Sequence, residues 1–497
     1  MIGGQVGFIR AVRVAGPGRE LLPTDEPVDL AIVDGVIADI APTGNLRPTG
    51  LVVEADGGWL LPGLWDHHVH VLQWALAADR VALGEVATAR EAAAVMAAAP
   101  VSDGRRIGAG FRDGLWPDAP SLELLDAATG ETPTYLVNAD VHSVWMNSAA
   151  FRREGFAPSA SGMLLEEEAF EISRRLNAVD PDAADAAVER MARAAAARGV
   201  VGLVDLDMTW NDEPWQRRAA RGFDLLRVSY GTYPQHLDRA IAEGLRTGDL
   251  VRGARNDLIR VGPLKAITDG SLGTRTAACG HHYPGDPTNH GLLTVSPDDL
   301  VDMMTRATAA GIDCAIHAIG DVANSHALDA YARTGAMGTI EHAQLVAHAD
   351  IPRFARLGVA ASVQPEHALD DRDMTDAIWA EQSAQPYPLR ALADSGANLR
   401  FGSDAPVAPL DPWAAMASAV FRTRDGREAW QPHQRIDIGT AIAASTAGGS
   451  TAAAEIAPGA LADLVIVDAD PLTADEPALR AMPVRTTLLA GRVTHSA

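Results

Sequence analysis

From residue 62 onward, short apolar runs ending in turn signals alternate with longer helical stretches, and this alternation limits the available folds more than any other feature. The strand-like runs stand at about 62–70, 200–206, 225–231, 259–267, 312–317, 338–342, 359–364 and 398–404. A strand that returns parallel to its predecessor needs a covering helix between them, so the pattern predicts an α/β fold with a parallel sheet. Eight such strands predict a closed (β/α)8 TIM-like barrel. Helix boundaries are legible as well: Ser296 reads as an N-cap, Pro297 as the first turn, and Gly311 as the stop before the next strand.

The two ends of the chain have a different texture. Residues 5–42 carry β-rich runs, including 28–33 and 36–40 around an Asp34-Gly35 turn; residues 462–468, 486–489 and 492–494 repeat it around Ala490-Gly491. Each end is too small to bury a core alone, so the two are expected to pair into one small β-sandwich domain. This assigns residues 1–61 plus 452–497 to a composite sandwich and 62–451 to the barrel. About 130 residues separate the first two barrel strands, far more than a crossover needs, so an insertion is expected at about 72–198. It should hold Ala-rich helices at about 74–98 and 180–198 and stand over the barrel mouth, because it leaves from the C-terminal end of strand one.

Composition narrows the partners. A formal charge of −24 disfavours nucleic acid and anionic membranes, which need basic patches; a small-molecule substrate is the expected partner, with a homodimer left open. Two cysteines, Cys279 and Cys314, make no disulfide framework, the N-terminus does not read as a secretion signal, and no apolar run reaches the roughly 18 residues of a membrane span. A cytoplasmic protein is expected.

Barrel enzymes carry their chemistry at the C-terminal ends of the strands. Strand one ends in Asp66-His67-His68-Val69-His70, where alternation places His68 and His70 on one face and His67 on the other. Alone, a His-x-His is as readily a surface hydrogen-bonding pair. Here strand four adds Lys265, strand five His317, strand six His342 and strand eight Asp404, and six potential ligands at five strand ends point to a metal centre. Of the 41 basic residues, Lys265 is the only lysine. Arginine keeps an exposed charge solvated as well as lysine does, but it cannot become a neutral amine, so a lysine retained against that bias suits a nucleophile or a covalently modified side chain.

Several stretches together resemble the amidohydrolase superfamily, specifically its YtcJ-like (amidohydrolase 3) branch of metal-dependent hydrolases, which includes N-substituted formamide deformylase. They are Pro62-Gly63-Leu64-Trp65-Asp66-His67-His68-Val69-His70, residues 138–148 around His142-Ser143-Val144-Trp145, Lys265 through Asp269-Gly270-Ser271 to Arg275, His317-Ala318-Ile319-Gly320-Asp321, Ile340-Glu341-His342, Ser362-Val363-Gln364-Pro365 and Gly402-Ser403-Asp404-Ala405-Pro406. The resemblance covers almost the whole chain. The chain departs from the pattern at His67, where a small residue is expected, and at His281-His282. The resemblance implies that His68 and His70 bind a more buried ion, that His317 and His342 bind a second, that Lys265 bridges both as a carbamate, and that Asp404 completes the site. Two divalent ions, Zn²⁺ first among them, suit this ligand set.

The implied activity is hydrolysis of a C–N bond in an amide, N-substituted formamide or cyclic amide, by a metal-activated hydroxide with Asp404 as general acid and base. Asp404 acting only as a ligand is the alternative role. Other functions compatible with these ligands are a heterocycle aminohydrolase, a lactone or phosphoester hydrolase, and a non-catalytic scaffold. Trp116, His142 and Trp145 of the insertion either touch substrate or pack the insertion on the barrel; Arg275 either meets a substrate carboxylate or pairs with a surface acid.

Overall fold

The structure, a computed structural model, describes residues 2–16, 26–449 and 455–497. Eight parallel strands form the barrel: β1 (Leu64–Val69), β2 (Val200–Asp205), β3 (Arg227–Thr232), β4 (Ile259–Ile267), β5 (Cys314–Ala318), β6 (Gly338–His342), β7 (Ala360–Val363) and β8 (Leu399–Phe401). They pair in chain order from β1 to β8. The segment after β8 closes the circle on β1, with Asp404 N–H donating to His68 O at 2.8 Å and His70 N–H to Ala405 O at 2.9 Å. Gly402 permits this approach, since a Cβ there would lie 2.8 Å from the His68 nitrogen.

One apolar cluster joins strand residues such as Leu203, Val228, Leu264, Ile316 and Ile340 to the surrounding helices, for example through Val188 and Met191 of Pro181–Ala196 and Trp413 and Met416 of Pro412–Phe421. Burial of these side chains, each contributing about 1.5–3 kcal/mol on transfer from water, fixes the barrel around its functional rim.

The two chain ends share one strand system. Val6–Val14 is central: on one side it pairs with Val28–Val33 from Phe8 to Val12, and on the other with Leu51–Glu54 up to Arg10 and then with Trp59–Pro62 from Arg13. The change of partners occurs at a bulge where Ala11 takes φ 52° and donates its N–H to Asp29 Oδ1 at 3.0 Å. Leu464–Val467 adds to Trp59–Pro62, followed by Val484–Leu489 and Arg492–Ser496. Val6, Ile9, Leu30, Ile466, Leu488 and Val493 form one core between them. Both hairpin turns read from the sequence have two successive left-handed residues, Asp34-Gly35 and Ala490-Gly491. The domain boundary drawn at 451/452 falls outside the described residues.

Between β1 and β2 the chain builds a five-stranded sheet from Val81–Ala82, Arg106–Phe111, Thr134–Asn138, Ser143–Met146 and Met163–Leu165, adjacent in that order. None of these five strands is expected from the sequence. Formation of the sheet corrects the single helix expected over 74–98: the segment is two helices, Val71–Ala77 and Ala89–Ala98, separated by a strand in which Val81 pairs with Gly108. Thr88 restarts the helix by accepting the N–H of Glu91 at 3.0 Å, so a local cap and a sheet partner override the alanine propensity. The second expected helix is present as Pro181–Ala196, capped by Asp180. Among the described residues, no helix is long and apolar enough to cross a membrane.

Candidate metal centre and active site

The end of β1 is not a regular strand. Asp66 stands opposite Leu203 but Val69 stands opposite Asp205, so an extra residue is absorbed at His67-His68. Simple alternation therefore fails here, and His67 is not turned to the opposite face. It lines a cavity of about 100 Å³ below the site with Glu341, Thr339, Arg400 and Asp313. Its Nδ1 lies 2.9 Å from Phe401 O, and burial lowers its pKa to about 4, which leaves it neutral.

His68 is fully buried and held from behind. Its Nδ1 meets Glu341 Oε2 at 2.7 Å, and Glu341 also accepts the hydroxyl of Thr339. This directs His68 Nε2 into the upper cavity, 3.4 Å from Asp404 Oδ1, while His70 Nε2 stands 3.1 Å from the same oxygen. The His342 ring centroid is 4.9 Å from that of His68 and 4.6 Å from that of His317, and its Nδ1 lies 3.0 Å from Gln364 Oε1. His317 packs between His342 and His142, with Asp269 Oδ1 3.3 Å from its Nε2. Asp269 is fixed by the N–H groups of Ala278, Ile319 and Gly320 at 2.8–3.0 Å. Lys265, 1% exposed, projects into the same cavity. All six strand-end residues singled out in the sequence thus line one cavity of about 70 Å³.

Two of these residues hold strained backbones: His342 has φ 73° and Asp404 φ 57°, where non-glycine residues are uncommon. Such strain costs on the order of 1–3 kcal/mol per residue and persists where side-chain placement is functional.

The donor atoms fit a divalent cation. Among the described residues, His68 Nε2, His317 Nε2, Asp404 Oδ1 and His367 Nε2 are buried without a well-aligned hydrogen bond, although Asp404 Oδ1 contacts the His70 and His68 rings and His317 Nε2 contacts Asp269. Each unsatisfied buried polar atom costs about 1–3 kcal/mol, so several converging on one cavity indicate a ligand that they share. Ligand atoms of His68, His342 and Asp404 lie within 4.8 Å of one another. Burial opposes ionisation of Asp404, but His68, His70 and His342 outweigh it and hold the carboxyl well below its ordinary range. Burial lowers the pKa of Lys265 against the pull of Glu341 and Asp404, toward the neutral amine that carbamate formation requires.

The insertion contributes one residue to this cavity from the sequence-predicted substrate set, His142. Its Nδ1 bonds Glu166 Oε2 at 2.8 Å; burial pulls its pKa down, but the Glu166 charge prevails and raises it to about 9. Glu166 also accepts from Thr276 at 2.6 Å and Asp140 from Ser271 at 2.8 Å, which clamps the insertion to the loop after β4. The other three substrate candidates stand elsewhere. Trp145 is wholly buried with Leu83, Met96 and Leu136, Trp116 packs on that cluster, and Arg275 is exposed in a left-handed turn outside the cavity. Of the two roles open to these tryptophans the structure shows packing, because the insertion has its own sheet and core to fill. His281, His282 and His290 are exposed on the loop after β4.

Sequence reasoning missed Glu341, Asp269, Gln364 and His367. His367 is buried on the helix Pro365–Asp370 directly after β7, stacks on His342 with centroids 6.2 Å apart, and places Nε2 4.0 Å from Asp404 Oδ2. A signal was present, because β7 also ends at the barrel mouth and a histidine follows it closely.

The comparisons agree with this architecture. Protein LONG AFTER FAR-RED 3 of Arabidopsis thaliana is 28% identical over 468 residues, covering 84% of this chain and 79% of that protein. N-substituted formamide deformylase of Arthrobacter pascens is 25% identical over 497 residues, covering 90% of each chain. An uncharacterized metal-dependent hydrolase from Pyrococcus horikoshii OT3 has the same fold, with a TM-score of 0.77 at 24% identity over 95% of this chain and 99% of that one. The amidohydrolase family (Amidohydro_3) matches residues 51–495, and with a match of that extent the chain belongs to the amidohydrolase family.

Proposed function

We propose that this chain hydrolyses a carbon–nitrogen bond of a small amide, N-substituted formamide or cyclic amide in the cytoplasm. The observation that carries the reading is the set of unpartnered imidazole nitrogens and the Asp404 oxygen converging at the C-terminal rim of the barrel. His68, His70, His317, His342 and Asp404 would hold two divalent ions, zinc foremost, with Lys265 bridging them as a carbamate. Ions so held supply an acidified water and a polarised substrate carbonyl.

The chain's own residues account for the remaining chemistry. Asp404, ionised and in contact with His68 and His70, accepts a proton at its carboxylate and returns it to the leaving nitrogen. Glu341 orients His68, and Gln364 orients His342, so that neither ring turns away. His142, anchored by Glu166 and facing the cavity, orients the substrate from the insertion side. Similarity to an N-substituted formamide deformylase over 90% of this chain favours formamides and amides among the C–N substrates.

The test combines elemental analysis with a substrate library. Protein purified without chelator should carry about two divalent ions per chain, and an amide or formamide should rank first by kcat/KM over heterocyclic amines, lactones and phosphotriesters. A stable single ion in fully active enzyme would remove the bridging role of Lys265, and a lactone or phosphotriester at the top would overturn the C–N assignment.

A further inference from the structure

We propose that the small cavity behind His342 and Gln344 binds a single monovalent anion of chloride size, held by Arg422. This site adjoins the ligand cluster and shares His342 with it, but the inference does not rest on the proposed reaction. Arg422 follows the helix Pro412–Phe421, takes φ 55°, and is 1% exposed. Its Nε–H donates to Trp430 O at 3.2 Å, and its guanidinium lies 5.1 Å from the Trp430 ring centroid. Its Nη2 is buried with no hydrogen-bond partner. Burial lowers its pKa only to about 10, so it is a cation at neutral pH.

Among the described residues, Arg422 forms no ion pair, and the neighbouring acids are committed elsewhere. Glu366 pairs with Arg424 and Arg480, and Asp370 with Arg424 and Arg112. The Tyr387 hydroxyl, which faces the same region, donates to Asp371 at 2.6 Å. A buried charge without a counter-charge is costly, and a water molecule supplies none.

The adjoining cavity defines the missing partner. Its volume is about 20 Å³, and its walls include Arg422, Gln344, Val363, Ala368, Leu389 and Leu392. That is room for one water-sized centre, too little for a carboxylate or phosphate. A halide needs only one centre and few donors, and tolerates the aliphatic wall. Of the other polar side chains in the wall, His342 and Gln364 bond each other and the Tyr387 hydroxyl bonds Asp371, which leaves Gln344: its side-chain oxygen is buried without a partner, and exchanging the ends of its amide presents an N–H to the anion. Gln344 also lines the catalytic cavity, so the anion would brace the wall shared by the two.

The test is a crystal of the protein as isolated, grown in sodium bromide and measured at the bromine absorption edge. An anomalous peak within hydrogen-bond reach of Arg422 Nη2 is the expected result, and it should vanish in Arg422→Gln. Bromine at surface positions alone, an adventitious ion only, or an ordinary water beside Arg422 would overturn the proposal. The measurement on the unaltered protein decides even where Arg422→Gln does not fold.

Discussion

Glu341 Oε2 sits 2.7 Å from Nδ1 of His68, and both side chains are buried, so the orientation of the innermost imidazole is set from inside the barrel rather than from its mouth. Burial opposes the Glu341 charge, but its bond to His68 outweighs it and keeps the carboxyl ionised. Glu341→Gln preserves the volume and weakens this hold. Metal affinity should fall about 10–100-fold, the usual cost of losing a carboxylate behind a ligating histidine. A chelator competition titration measures it, and unchanged affinity would deny Glu341 this role.

Asp404→Asn retains the shape of the side chain but cannot carry a proton at the same oxygen. Turnover should drop by about two to four powers of ten with the circular dichroism spectrum unchanged. Steady-state kinetics on the best library substrate checks this, and near-wild-type turnover would leave Asp404 a ligand only.

The single lysine allows an unusually clean chemical test. Amine-reactive reagents should label only the N-terminal amine of the metal-loaded protein, and removal of metal at mildly acidic pH should release carbon dioxide. Lys265→Arg should lose both metal and activity although the charge is kept. Because burial alone also hides Lys265, the deciding measurement is electron density at its Nζ in a metal-loaded crystal; a bare ammonium there would reject the carbamate.

Trp413 tests the packing that supports the rim. It is wholly buried, and its indole N–H donates to Arg198 O at 3.0 Å. Trp413→Ala should cost about 3–5 kcal/mol, the range for emptying an aromatic core site. Urea denaturation with the metal content held equal reads it, and a loss below about 1 kcal/mol would show that the helix Pro412–Phe421 collapses onto the cavity.

Asp185 gives a pH dependence remote from the site. Burial raises its pKa, but Arg217 at 2.8 Å and Arg218 at 2.9 Å outweigh this and depress it. A depressed carboxyl contributes stability that is present above its unfolded value of 3.8 and is lost as pH falls through the folded value. Asp185→Asn should therefore flatten the acid limb of the stability curve below about pH 4, and an unchanged acid limb would mean that the cluster contributes nothing.

The residues that line the candidate site were legible because strand ends are local features. Apolar runs followed by His68, His317, His342 or Asp404 announce themselves in one dimension, and the eight-strand count then places those ends on one rim. The pairing of the chain termini was equally readable, since Asp34-Gly35 and Ala490-Gly491 specify hairpins that neither end could bury alone.

Tertiary structure alone decided three things. The bulge at β1 put His67 beneath the site, because its register depends on β2, more than a hundred residues away in sequence. Glu341 and Asp269 became supports of His68 and His317 only when the closing barrel brought β1 to β6 and the loop after β4 to β5. The insertion turned Trp145 into core and His142 into cavity wall, because its sheet buries one and its clamp through Glu166 and Asp140 delivers the other. Sequence periodicity states which side chains share a face of one strand; it does not state which distant element will cover that face.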